Sequence, residues 1–228
     1  MNQDEMNERL LWDWIENAWK TTPEGEEVRA SILRGEVKDI DLATWPMRET
    51  LERWLTRMTT PEGFVLFAKE FERKMFALDR EDLTLHVGGG SYESIDTRGF
   101  TVLMGEAYCT RVLRDVSTAL RGVGSEQAYM TLIRVYETRF HAPYPGFLRV
   151  TPGSNLDAWP TRRANAERKA SIDAAVDALM VGLRLAPGPA PTLSGEPLVI
   201  AVPHLDPADM REAVRRLDDR LDQHPPWR

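Results

Sequence analysis

With a single cysteine, Cys109, the chain lacks the material for an internal disulfide framework or a cysteine-clustered zinc site, and it suits a reducing compartment. Its four histidines, His86, His141, His204 and His224, show no HxH or HExxH spacing, so a zinc site would need ligands gathered from distant segments. No apolar run approaches the roughly 18 residues of a membrane-spanning helix. The opening MNQDEMNERLLWDW sets acids ahead of its apolar residues, unlike a secretory signal. An excess of cations is missing too: the formal net charge is −7, which opposes nonspecific attraction to nucleic acid or anionic membranes. These absences predict a cytoplasmic protein with no cofactor and no metal. Another protein is the expected partner, with no nucleic acid and no membrane.

What is present is ordinary globular usage. The 228 residues are 42% hydrophobic and 29% charged, enough apolar material for a substantial core without disulfides.

The apolar periodicity is helical almost throughout. Leu11, Trp14, Ile15, Ala18 and Trp19 recur at offsets of three and four, predicting an amphipathic helix over about 4–20. Residues 21–43 read as loop with a short helical turn around Val28 to Leu33. Thr44, Trp45 and Pro46 announce a second helix with Pro46 in its first turn, and Leu51, Trp54, Leu55 and Met58 form its stripe. Thr60 as N-cap, Pro61 and Glu62 open a third, whose Phe64, Phe67, Phe71, Met75 and Leu78 mark a buried face. Trp14, Trp54, Phe67 and Phe71 are all expected in the core.

LTLHV at 83–87 is ambiguous between a strand and the end of a helix, and Gly88, Gly89 and Gly90 break whatever precedes them. Asp96 is a candidate cap for a helix over about 97–114, in which Gly99 and Gly105 suggest close packing. Ser125 can cap the next, with Tyr129, Leu132, Ile133, Tyr136 and Phe140 on one side. A Pro/Gly-rich connection follows from His141 to Pro160, then a helix over 161–184 and a linker-like APGPAPTLSGEP. Leu198 to Val202 is the clear strand candidate, with LTLHV its natural partner. Asp206 and Pro207 start a last helix. The expected fold is therefore mainly α with a small β element: a helical domain at 1–145, then a subdomain at 146–228 with linker, strand and terminal helix, or the two as one continuous domain.

Chemistry-bearing patterns are sparse. Gly88, Gly89, Gly90 and Ser91 can make a plain turn or an N–H nest for an anion, but the Lys-Ser/Thr ending of a phosphate loop is missing. Around them, His86, Glu81, Asp82, Glu93 and Asp96 form the densest polar constellation. The candidate ligand-binding residues are thus His86, Gly88, Gly89, Gly90, Glu93 and Asp96. Gly122 and Gly124 lack the third glycine of a dinucleotide fingerprint. His204 stands two residues before Asp206 at a strand-to-helix junction, where Asp206 can be a helix cap or a catalytic partner. Cys109 has no adjacent basic residue to ionise it and reads as a buried, inert thiol. RRANAERK at 162–169 and REAVRR at 211–216 read as solvated helix faces.

From Leu11 to about Leu120, LWDWIENAW, GFVLFAKEFERKMFALDREDL and GGGSYESIDTRGFTVLMGEAYCTRVL together resemble an uncharacterised bacterial family, the domain-of-unknown-function family numbered 4240. The resemblance aligns Gly89, Gly90, Asp96, Gly105 and Tyr108 with that family's double-glycine turn, acidic residue and following helix. It implies a mainly helical fold and no assigned chemistry.

Two functions stay open at this point. One is a protein-binding or regulatory role, as inhibitor, immunity-type protein or adaptor. The other is an enzyme or small-ligand binder using the Gly88–Gly90 turn and its acidic neighbours. The scattered histidines and lone cysteine generate one prediction: prolonged chelation leaves the melting temperature unchanged, and a large drop that zinc restores would overturn it.

Overall fold

Phe64, Phe67, Phe71 and Met75 recur every three or four residues, so a helix gathers them on one side, and all four are buried. Thr60 caps that helix, its hydroxyl accepting from the Gly63 N–H at 3.2 Å, with Pro61 in the first turn as the sequence predicts. Around this stripe the computed structural model is mainly α. It describes residues 3–58, 60–88, 91–123, 127–146, 151–185 and 205–223. The helices are α1 (Gln3–Thr21), α2 (Gly25–Leu33), α3 (Ile40–Met58), α4 (Pro61–Ala77), α5 (Glu81–Val87), α6 (Ser91–Leu103), α7 (Glu106–Arg114), α8 (Gln127–Phe140), α9 (Pro160–Leu185) and α10 (Pro207–Gln223). The chain divides into two units, Met1–Trp159 and Pro160–Arg228. No helix among the described residues is long and apolar enough to cross a membrane.

In the first unit α1 packs on α2, α3 and α4, while α8 packs on α3 and α6. Leu11, Ile15 and Trp19 of α1 meet Phe67 and Phe71 of α4 in a continuous apolar core that also takes in Leu51, Leu55, Phe100, Leu132 and Val135. Trp19 is fully buried and still satisfied, its indole N–H donating to the Leu103 carbonyl at 2.8 Å. Trp14 and Trp54 depart from expectation: both pack against the core but remain partly exposed.

Several boundaries differ from the sequence reading. Helix α3 begins at Ile40, because the Asp39 carboxylate accepts from the Leu42 N–H at 2.9 Å and caps the helix more than a turn before Pro46. Pro46 thus lies inside α3, where its missing N–H leaves the Leu42 carbonyl without a helical donor. Leu42 is exposed, so water can serve that oxygen. LTLHV is helical, not a strand: Leu83 and Val87 turn to the core four residues apart, whereas Leu85 points out, and a strand would place all three on one side. The small β element is not found among the described residues, and Leu198–Val202 lies outside them.

Asp96 is not a helix cap. Helix α6 already starts at Ser91, which leaves Asp96 inside it. The expected single helix over 97–114 breaks at Gly105, whose φ of +94° only glycine adopts readily. A Cβ there would collide with the Glu16 carboxylate, which is paired with Arg29 at 2.7 Å. At Gly99 a Cβ would stand 3.0 Å from that of Ala128, so α6 and α8 approach to glycine distance.

The end of α4 carries the main buried charge. Asp79 is fully buried; its Oδ1 accepts from the Gly153 N–H at 2.9 Å and the Trp159 indole at 3.0 Å, and its Oδ2 from the Asn155 N–H at 2.9 Å. Arg98 of α6, also buried, stands 3.4 Å away. Burial pulls the Arg98 guanidinium below its usual value, and the Asp79 charge opposes that shift.

The second unit is a helix pair. Ile172, Ala175, Val176 and Met180 of α9 pack with Ala213 of α10, flanked by Leu205, Leu217 and Leu221. Asp206 caps α10, accepting from the Ala208 and Asp209 N–H groups at 2.8 and 2.9 Å. Arg168 pairs with Asp209, Asp173 with Arg216 and Asp177 with Arg220. Because partners advance together along both helices, α9 and α10 run parallel.

Replacing Asp79 by alanine leaves Arg98 buried without its counter-charge, a change expected to cost about 3–5 kcal/mol in denaturant melts. A loss below about 1 kcal/mol would show that the pair does not hold α4, α6 and the 151–159 segment together.

Candidate functional site

Of the constellation expected around the glycine turn, the described residues place Glu81, Asp82, His86 and Gly88 on α5 and its C-cap, and Asp96 on α6. Gly88 closes α5 with a left-handed φ of +77°, the conformation that ends helices, and Gly89 and Gly90 lie outside the described residues. Glu81 and Asp82 sit at the opposite end of α5, about 10 Å away at 1.5 Å per residue. Asp82 is held by Arg80 through two bonds of 3.0 and 2.6 Å, and that contact keeps its carboxyl below the ordinary range. His86 is engaged at both nitrogens: Nε2 donates to the Ala119 carbonyl at 3.1 Å, which leaves Nδ1 to accept from Arg121 at 3.3 Å. Glu93 and Asp96 belong to α6, and Asp96 is partly buried there.

Other chemistry-bearing residues are placed as follows. Cys109 is buried in α7, and desolvation pushes its thiol up to about 12. His204 and His224 lie outside the described residues, and Asp206 serves as the cap of α10. Glu72 of α4 is fully buried and accepts from the Tyr129 and Tyr144 hydroxyls at 3.0 and 2.7 Å; burial, then the neighbouring carboxylate, raises both phenols above their ordinary value. Among the described residues, no three His, Cys, Asp or Glu side chains are placed to hold a metal ion.

The most distinctive surface lies along α3 and α8. Trp45 is 48% exposed, although tryptophan is among the costliest side chains to leave in water. It is held in place: the Arg48 guanidinium lies over its ring at 5.6 Å, and Arg48 itself is buried and donates to the Asp41 carbonyl at 2.9 Å. From Trp45 a groove of about 460 Å³ runs past Glu49, Glu52, Arg53, Thr56 and Arg57 of α3 to Arg134 of α8. Leu42, one turn before Trp45, is 71% exposed, and Met130, one turn before Arg134, is 57% exposed. Arg134 pairs with Glu52 at 2.8 Å, and Arg139 donates to the Thr56 carbonyl at 3.0 Å. A second cleft, of about 450 Å³, lies between Trp14 and Trp54 and is edged by Asn17 and Thr21.

The α3–α8 face escapes the sequence reading because Pro46 suggests a helix start beside Trp45. Asp39 was the available signal: a helix capped there puts Trp45 on one stripe with Glu49, Glu52 and Thr56, a polar stripe that faces water. Buried Phe67 and Phe71 carried no such ambiguity.

No family model matches the chain, and neither the curated proteins nor the solved structures yield a match.

The position of Cys109 has a measurable consequence. At neutral pH the folded protein is expected to resist alkylation by iodoacetamide, with rapid labelling only after denaturation. Equal rates in the two states would contradict the buried, protonated thiol.

Proposed function

We propose that this chain is a cytoplasmic protein-binding module of regulatory type, an inhibitor, immunity-type protein or adaptor, and that the α3–α8 face is its contact surface. The observation that carries this reading is Trp45, half exposed yet clamped by Arg48. A large aromatic fixed in one orientation loses little freedom on binding and contributes more apolar area than any other residue, which is why tryptophan dominates interface energetics. Leu42 and Met130 extend the apolar area, and arginines rim it, the composition typical of the centre and edge of a protein contact.

The test compares wild type with Trp45→Ala. Trp45 is not part of the buried core, so the variant is expected to unfold within about 1 kcal/mol of wild type. Proteins that co-purify with the wild-type chain from its native cells should be lost from the variant. A variant that keeps the same partners, or a wild type that brings none, would sink the proposal.

A further inference from the structure

The charge on the α3–α8 face runs against that of the molecule. The chain as a whole carries −7, but the groove exposes Arg53, Arg57 and Arg134, with Arg139 beside Thr56, against Glu49 and Glu52; of the other exposed carboxylates on the two helices, Asp41 pairs with Arg48 at 3.5 Å and Glu137 accepts from the Tyr144 N–H at 3.4 Å. Glu52 is already neutralised by Arg134 at 2.8 Å. Among the described residues, Arg53 bonds to neutral oxygens, the Thr50 hydroxyl at 3.0 Å and the Glu49 carbonyl at 3.4 Å, and Arg139 to the Thr56 carbonyl. Arg57 is exposed and forms no ion pair among the described residues. Among the described residues, then, Arg53, Arg57 and Arg139 stand on this face with no carboxylate bound to them.

The face is also graded along its length. Leu42 and Trp45 make one end apolar, and Arg53, Arg57 and Arg139 make the other end basic. From Trp45 to Arg57 the helix rises about 18 Å, the span of five or six extended residues. From these observations we infer that the partner presents an extended acidic segment, with an apolar side chain seated against Trp45 and carboxylates beside Arg53 and Arg57. This rests on the reading of the face as a protein contact and names the chemistry that contact selects. Carboxylates meet arginine in paired, bidentate geometry, which gives register as well as attraction. Nucleic acid fits less well: it would bring phosphates onto Glu49 and Glu52 under a net negative field, with one exposed tryptophan on this face in place of a series of stacking platforms.

The experiment uses the full chain and a labelled synthetic peptide of glutamates with one central leucine, followed by fluorescence anisotropy. The controls are the same peptide with glutamines, the same peptide with lysines, and a single-stranded oligonucleotide. The glutamate peptide should bind, weaken as salt rises, and lose about tenfold in affinity on Arg57→Glu and on Trp45→Ala, with melting curves showing both variants folded. Equal binding of the glutamate and glutamine peptides, tighter binding of the oligonucleotide, or no peptide binding at all would overturn the inference. Its failure is separable from that of the broader proposal. If co-purifying partners depend on Trp45 but are unaffected by Arg57→Glu, the contact surface stands and the acidic segment falls. If partners persist without Trp45, both fall.

Discussion

The first unit depends on one buried ion pair. Asp79 and Arg98 are withdrawn from water, a cost that their mutual attraction offsets only because further donors surround the carboxylate. Those donors come from far along the chain: the N–H groups of Gly153 and Asn155 and the indole of Trp159. One carboxylate thereby joins the end of α4, the middle of α6 and the last residues of the unit. The segment 151–159 buries one large apolar side chain, Trp159, and these polar contacts fix where it sits.

The same logic recurs where other helices meet. Glu72 draws in Tyr129 of α8 and Tyr144 beyond it, and the Glu16–Arg29 pair fills the space that Gly105 leaves by having no side chain. Hydrophobic burial brings the helices together without direction, whereas these polar joints accept only one angle and register. Away from the joints, α3 and α8 also meet through Glu52 and Arg134, but there the surrounding arginines stay in solvent. The contrast separates charges that hold the fold from charges available to something else.

Legibility in the sequence followed how far each signal is local. The phenylalanine stripe of α4, its Thr60 cap and the Asp206 cap of α10 depend on neighbours within a turn, and each stands where the residues indicate. The start of helix α3 is not legible from Pro46, because a proline near a helix start and a proline tolerated inside one look alike; the Asp39 bond to Leu42 decides. LTLHV is too short for its period to be told apart, and the exposure of Leu85 settles it only once the core is known. The break at Gly105 belongs to α1 and α2 as much as to its own segment, since Glu16 and Arg29 are what forbid a side chain there. The glycine-turn residues show the same limit: neighbours in sequence, they fall on different helices, with Glu81 and Asp82 in the first turn of α5, Gly88 at its other end, and Glu93 and Asp96 in α6.

The parallel course of α9 and α10 carries a further lesson. Parallel helices set like ends of their macrodipoles side by side, an unfavourable arrangement that a bundle normally avoids by alternating direction. Here the side chains reverse the preference. Along α9 the paired charges run from cation to anion, Arg168 then Asp173 and Asp177; along α10 they run from anion to cation, Asp209 then Arg216 and Arg220. Turning α10 end for end would bring its arginines toward Arg168 and Asp209 toward the two aspartates. The apolar stripe alone would tolerate either direction, so the surface charges act as an orientation code, written in the order of signs and read only when the two helices meet.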